Sequence, residues 1–381
     1  MKKLWRVALL AGAVAACGDQ TTPLGPDVSV DEHRAHKFDR SPGAVYTMTN
    51  AADGNEILIF NRSADGTLEA AGAVATGGLG TGGGLGNQGG VVLGWGNRNL
   101  YAVNAGSNEI SVFRVGSHGL RLIQTIESGG ERPISLAVHR NLLYVLHGAD
   151  GGSVTGFRVT WFGGLRPIHG STRPLSGAET TDPAQVSFSP DGRTLVVTEK
   201  ATNMIVTYRV RWWGLLGEPE AHESAGQTPF GFAFARRNLL LVSEAFGGAP
   251  DASTLSSYAV GNHGFFKVLD PAVATTETAA CWVVVTGNGR FAYTTNTGSG
   301  SISGFKVGHR GDLELLDMDG VTASTGAGPI DMAFSRNSRY LYALNSGDGS
   351  LSIFGVGSDG SLESVGDIPG LPAGTNGLAA F

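Results

Sequence analysis

The feature that most constrains this chain is a repeat. Seven times a short apolar run ends on a polar residue and passes, through a Gly-, Ser- or Asn-rich turn, into a second apolar run. The first runs cover residues 46–50, 101–104, 144–147, 196–199, 241–244, 293–296 and 342–345. Their partners include residues 109–113, 301–305 and 350–354. Six intervals between Tyr46 and Tyr342 average about 49 residues, the spacing of a four-stranded propeller blade. The repeat predicts an all-β, seven-bladed β-propeller. A fixed period also overrides the domain count that 381 residues would suggest, because each unit buries its faces only against its neighbours.

A third segment precedes most of these runs, as at residues 136–138, 186–188, 232–234, 283–285 and 332–334, and reads as the inner strand of each blade. It leads into turns such as 189–192 and 287–289, rich in the residues that favour type I and I′ geometry. The first blade lacks such a segment, and residues 374–381 form one with nothing after it. The two ends are therefore expected to complete one blade and remove the open sheet edges. Fifty-nine glycines among alternating Val, Thr, Tyr and Phe suit many tight turns, and no long segment has the apolar period of a helix.

The N-terminus reads as a targeting device. Lys2 and Lys3 precede an apolar stretch from Val7 to Ala16 that is too short to span a bilayer, followed by Cys17 in a lipobox-like setting. The expected organisation is a lipoprotein signal over 1–16, acylation of Cys17, a polar tether over 17–42, and one propeller over 43–381. The expected location is the bacterial cell envelope, with a periplasmic or secreted form as the alternative. A net charge of −6 with scattered Lys and Arg argues against a nucleic-acid partner. A monomer is expected.

In a propeller the seven run-ending residues gather around the axis on one face. Four are Asn (Asn50, Asn104, Asn296, Asn345), the residue of turns that tolerate left-handed backbone. Three consecutive blades carry His147, Glu199 and Glu244 instead, two carboxylates and an imidazole suited to acid–base chemistry. The residues opening the inner strands make a second ring: Gly90, Ser135, Gln185, Gly231, Trp282, Asp331 and Gly377. Gln185, Trp282 and Asp331 offer an amide, an apolar wall and an acceptor for a small ligand, and Arg132 is the nearest cation.

No cofactor or metal is expected, since no His/Cys cluster has zinc spacing. The segment 78–83 matches Gly-x-Gly-x-x-Gly but opens a strand, so it reads as a loop or a lid rather than a phosphate cradle. Two neighbouring outer turns carry Trp161-Phe162 and Trp212-Trp213, expected on the face where the tether enters and suited to a lipid surface or a partner protein.

Residues 189–199, 289–296 and 340–345 carry a resemblance to the seven-bladed lactonase family, which includes bacterial 6-phosphogluconolactonase and fungal 3-carboxymuconate cyclase. The resemblance implies hydrolysis of a lactone by His, Arg and Glu side chains without a cofactor. Here Glu199 is kept, while Ala184 and Gln185 stand where the family has Arg and His. Glutamine cannot act as a general base. Two functions follow as expectations: an exported hydrolase of a small non-phosphorylated lactone, and a non-catalytic binding or scaffold propeller of the envelope.

Overall fold

The computed structural model describes residues 43–117, 119–261 and 264–381. The expected signal segment, Cys17 and the tether lie outside them. Seven antiparallel sheets of four or five strands form the ring. Among the described residues helix is limited to short 3-10 turns, and no helix is long and apolar enough to cross a membrane.

Strands are lettered a to d from the axis outward, and blades are numbered along the chain. The inner strands of blades 2 to 7 are Val91–Leu93, Pro133–His139, Pro183–Phe188, Pro229–Phe234, Ala280–Val285 and Pro329–Phe334. Blade 1 is composite. Its strand a, Asn376–Ala380, pairs antiparallel with its strand b, Gly43–Met48, matching Tyr46 with Ala379 and Thr47 with Leu378. The expected closure between the two ends is thus present.

Strand b of every blade is almost wholly buried because it faces sheets on both sides. The run-opening tyrosines fix neighbouring blades to each other. Tyr101, Tyr144, Tyr293 and Tyr342 are buried, and their hydroxyls donate to the carbonyls of Gly163, Gly214, Gly360 and Gly66 at 2.9, 2.6, 2.8 and 3.0 Å. Each acceptor lies in the c–d turn of the next blade, so an apolar ring fills the interface while its one polar atom is satisfied. The a–b and c–d turns lie on one face of the disc. The b–c turns and d–a connectors lie on the other, called here the top.

Candidate functional site: the axial channel and its top mouth

The inner strands of blades 3 to 7 each begin with an irregularity that sets the site. Register shifts separate Pro133 from Ser135, Pro183 from Gln185, Pro229 from Phe232, Ala280 from Val283 and Pro329 from Asp331. A bulge of this kind re-aims one side chain and frees one backbone N–H. The ring-opening residues use both effects to join adjacent blades. Ser135 Oγ accepts from Val186 N at 3.2 Å, Gln185 Oε1 from Phe232 N at 2.6 Å, and Asp331 Oδ2 from Leu378 N at 3.0 Å.

Blade 5 has Gly231 at that position, and the acceptor comes from elsewhere. Gln88, on the glycine-rich connector between blades 1 and 2, accepts from Val283 N at 3.2 Å and donates to Val283 O at 3.0 Å. A Cβ on Gly231 would lie 2.5 Å from Gln88 Oε1, so a side chain there and the inserted glutamine exclude each other.

That connector crosses the axis. Gln88 N donates to Ala184 O at 3.1 Å, Ser135 Oγ donates to Gln88 O at 2.5 Å, and Trp282 Nε1 donates to Asn87 O at 2.6 Å. Asn87 Nδ2 also donates to Ile134 O. Leu85, Asn87 and Gln88 are buried. The glycine-rich stretch expected as a loop or lid, 78–83, bonds the b–c turn of blade 1 through Gly80 N to Ala51 O and Gly82 N to Asn50 O, and the residues that follow it are a plug, bonded to the inner strands of blades 3, 4 and 6. Its glycines were legible in the sequence, but its destination depends on which strands meet at the axis.

The run-ending residues take part in a different structure. Asn296 Nδ2 donates to Ser301 and Ser303 Oγ at 3.0 and 2.8 Å, and Asn345 Nδ2 to Ser350 and Ser352 at 2.9 and 3.0 Å. His147, Glu199 and Glu244 occupy the same place and tie their blades to the incoming connector. The His147 ring nitrogens bond Ser128 and Ser153 at 3.1 and 3.2 Å. Glu199 accepts from Ser176 N and Oγ and from Thr202 Oγ1 at 2.8, 2.7 and 2.6 Å. Glu244 accepts from Thr254 Oγ1, Tyr258 Oη and Ser224 Oγ at 2.5, 3.2 and 3.3 Å.

All three side chains are buried, and no two share a hydrogen-bond partner. The expected acid–base cluster is therefore three separate clamps. Burial pushes the His147 imidazole down to about 4, so it is neutral near pH 7. Burial raises the Glu244 carboxyl, opposed by its hydroxyl donors. Asp331 is pushed up to about 8 by burial, against the pull of the Met332 and Leu378 N–H groups.

The mouth above the plug holds one residue not singled out from the sequence. Lys200 donates to Gly86 O at 2.9 Å, pairs with Asp182 at 3.3 Å, and lies 4.7 Å from the centre of the Phe230 ring. It is nearly buried, and burial lowers its pKa; Arg132 adds to the lowering and Asp182 opposes it. Arg132 itself is exposed, with backbone at φ 54° held by a 2.7 Å bond from its N–H to Asn108. The only sequence signal for Lys200 was its place directly after Glu199. Among the described residues no three His, Cys, Asp or Glu side chains are grouped to hold a metal.

Fold and site together define a seven-bladed β-propeller whose axial channel is lined by inner-strand residues and crossed by the connector between blades 1 and 2. The family model "Lactonase, 7-bladed beta-propeller" matches residues 163–263 and 253–378, more than half of the chain, and the chain belongs to that family. Among solved structures, a Lactobacillus plantarum protein shares 17% identity, covering 89% of this chain and 99% of its own, with a TM-score of 0.73. A candidate 6-phosphogluconolactonase from Bacteroides uniformis shares 16% identity with the same coverage and a TM-score of 0.72. The periplasmic gluconolactonase of Pseudomonas aeruginosa shares 16% identity, covering 88% of this chain and 99% of its own, with a TM-score of 0.68. No curated protein matches the chain.

Proposed function

We propose that this lactonase-family propeller is a non-catalytic binding or scaffold module of the cell envelope, in which the axial lactone site has become structural. The observation that carries this reading is the plug. Asn87 and Gln88 occupy the axis and use the polar groups that open the inner strands. The carboxylates and imidazole available for acid–base work already hold blades to connectors, and Ala184 and Gln185 replace the family Arg and His. Attack on a lactone carbonyl needs a base within hydrogen-bond reach of a water and a donor at the developing oxyanion.

A pH-indicator assay against sugar, aromatic and acyl lactones tests this directly. No acid release above buffer is expected. Turnover that is lost in a Glu199→Gln/Glu244→Gln double variant overturns the reading.

One observation favours a second reading, hydrolysis of a small non-phosphorylated lactone at the mouth. Lys200 is a nearly buried amine of lowered pKa, with Arg132 close enough to contribute to that lowering and Asp182 in contact. In that case the amine would act as base and Arg132 would polarise the carbonyl oxygen. Lactone turnover lost in Lys200→Met but kept in the double glutamine variant would select this alternative.

Export rests on the N-terminal sequence, and the Pseudomonas aeruginosa neighbour is a periplasmic protein. Acylation of Cys17 predicts that Cys17→Ala moves the chain from the membrane fraction to the soluble one. An unchanged distribution removes the anchor.

A further inference from the structure

The charges of the ring are sorted by face. Among the described residues, every lysine and arginine except Arg132, Arg173 and Lys200 lies in, or within a few residues of, an a–b or c–d turn. The carboxylates run the other way. Asp53, Glu109, Asp150, Glu179, Asp251 and Asp348 all stand on the b–c turns, at strand ends beside them, or on d–a connectors. The cationic face keeps some carboxylates, Asp65, Asp191 and Asp359, which each accept a hydrogen bond from within their own turn, and Glu69, Glu218, Glu220, Asp312, Glu314 and Glu363, but its lysines and arginines outnumber them. A ring with a net negative charge thus has one basic face and one acidic face.

The basic face also holds the exposed aromatics. Trp95, Trp161, Phe162, Trp212, Trp213 and Phe265 are 83, 92, 71, 88, 78 and 54% exposed, in turns of the successive blades 2, 3, 4 and 5. Backbone contacts hold these turns in place. The Gly163 and Gly214 carbonyls receive the tyrosine bonds described above, and Arg158 donates to Trp213 O at 2.9 Å. Beside them, between blades 5 and 6, a cavity of about 610 Å³ has an apolar floor and is walled by Arg236, Arg237, Arg290, Lys306 and Arg310. Among the described residues its one ion pair is Lys306 with exposed Glu314 at 3.2 Å.

We propose that this face docks on an anionic phospholipid bilayer, with the aromatic turns in the interfacial layer and the arginine-walled cavity seating a lipid phosphate. Indole rings favour the water–lipid boundary, and each basic side chain near an anionic leaflet adds attraction that salt screens. The chain outside the structure selects a bilayer over other polyanions. Gly43 opens strand b of blade 1 beside Arg62, on this same face, so an acyl anchor at Cys17 enters from the side that carries the tryptophans. The docking builds on the envelope location proposed above, yet it is read in vitro, so fractionation and vesicle binding can fail separately.

The test uses the chain from residue 17 with Cys17→Ser, which keeps every described residue and removes the acyl group. Phosphatidylcholine vesicles with and without phosphatidylglycerol are the probe. Trp282 is the one buried tryptophan in that chain, so the emission of the other four reports the face. Expected are co-sedimentation and a blue shift with phosphatidylglycerol vesicles only, both reversed by salt. Trp161→Ala/Trp212→Ala and Arg237→Gln/Arg310→Gln should each lower partitioning about tenfold. These side chains are exposed, so the variants should keep the wild-type unfolding transition. Absence of binding, equal binding to neutral vesicles, partitioning unchanged in both variants, or capture of RNA or a protein by this face without lipid binding overturns the proposal.

Discussion

At the scale of single residues, the site is made of side chains whose chemistry is spent on neighbouring backbone and hydroxyl groups. His147 holds the place that asparagine holds in four blades, and Ser153 and Thr155 stand where Ser301 and Ser303 receive Asn296. His147→Asn should therefore fold normally and lose an acid sensitivity. With its folded pKa near 4 against an unfolded value near 6.5, the unfolded chain binds more protons between those limits, and stability rises with pH there. Urea unfolding across that window should show the wild type losing up to about 3 kcal/mol toward acid, and the variant losing less.

Asp331 has the opposite sign. Its folded pKa of about 8 means that the native state keeps a proton the unfolded chain has lost above about 4, so its contribution falls as pH rises to about 8 and is level beyond. Asp331→Asn should flatten that decline, which the same titration reads; an unchanged slope would show that Asp331 is ionised in the native state.

At the scale of elements, the connector between blades 1 and 2 is the least expected part of the molecule. Its composition suggested a surface loop, and the structure makes it a shared acceptor and donor for three inner strands. Gln88→Ala would leave the buried N–H and C=O of Val283 unpaired, at a cost of about 3 kcal/mol in unfolding free energy. Hydrogen exchange at Val283 should quicken with it. A wild-type denaturation midpoint in this variant would mean that the plug is not structural. The strands were legible because alternation, tyrosine starts and Gly-rich turns are local signals. The plug was not, because its partners lie up to 195 residues away and nothing within residues 84–90 marks them.

At the scale of the whole molecule, closure joins the two ends of the described chain through strand pairing and the Asp331–Leu378 bond. Removing residues 374–381 takes away the inner strand of blade 1, exposes the edge of Gly43–Met48 that it pairs, and uncovers the neighbouring inner strands Val91–Leu93 and Pro329–Phe334. Loss of the cooperative thermal transition is expected, and a truncated chain that still melts in one sharp step would show that closure is dispensable. The sequence by itself determined the architecture, the number of blades and the way the ring seals, because those follow from a period and from turn chemistry that each segment carries within itself. It also singled out His147, Glu199, Glu244, Gln185 and Asp331 as residues that differ around the ring. What those residues do was set by the packing of one blade on the next. Whether a carboxylate is a base or a clamp depends on the hydroxyls and amides brought to it from other blades, and scattered arginines become one charged face only when the turns that carry them are wound to the same side.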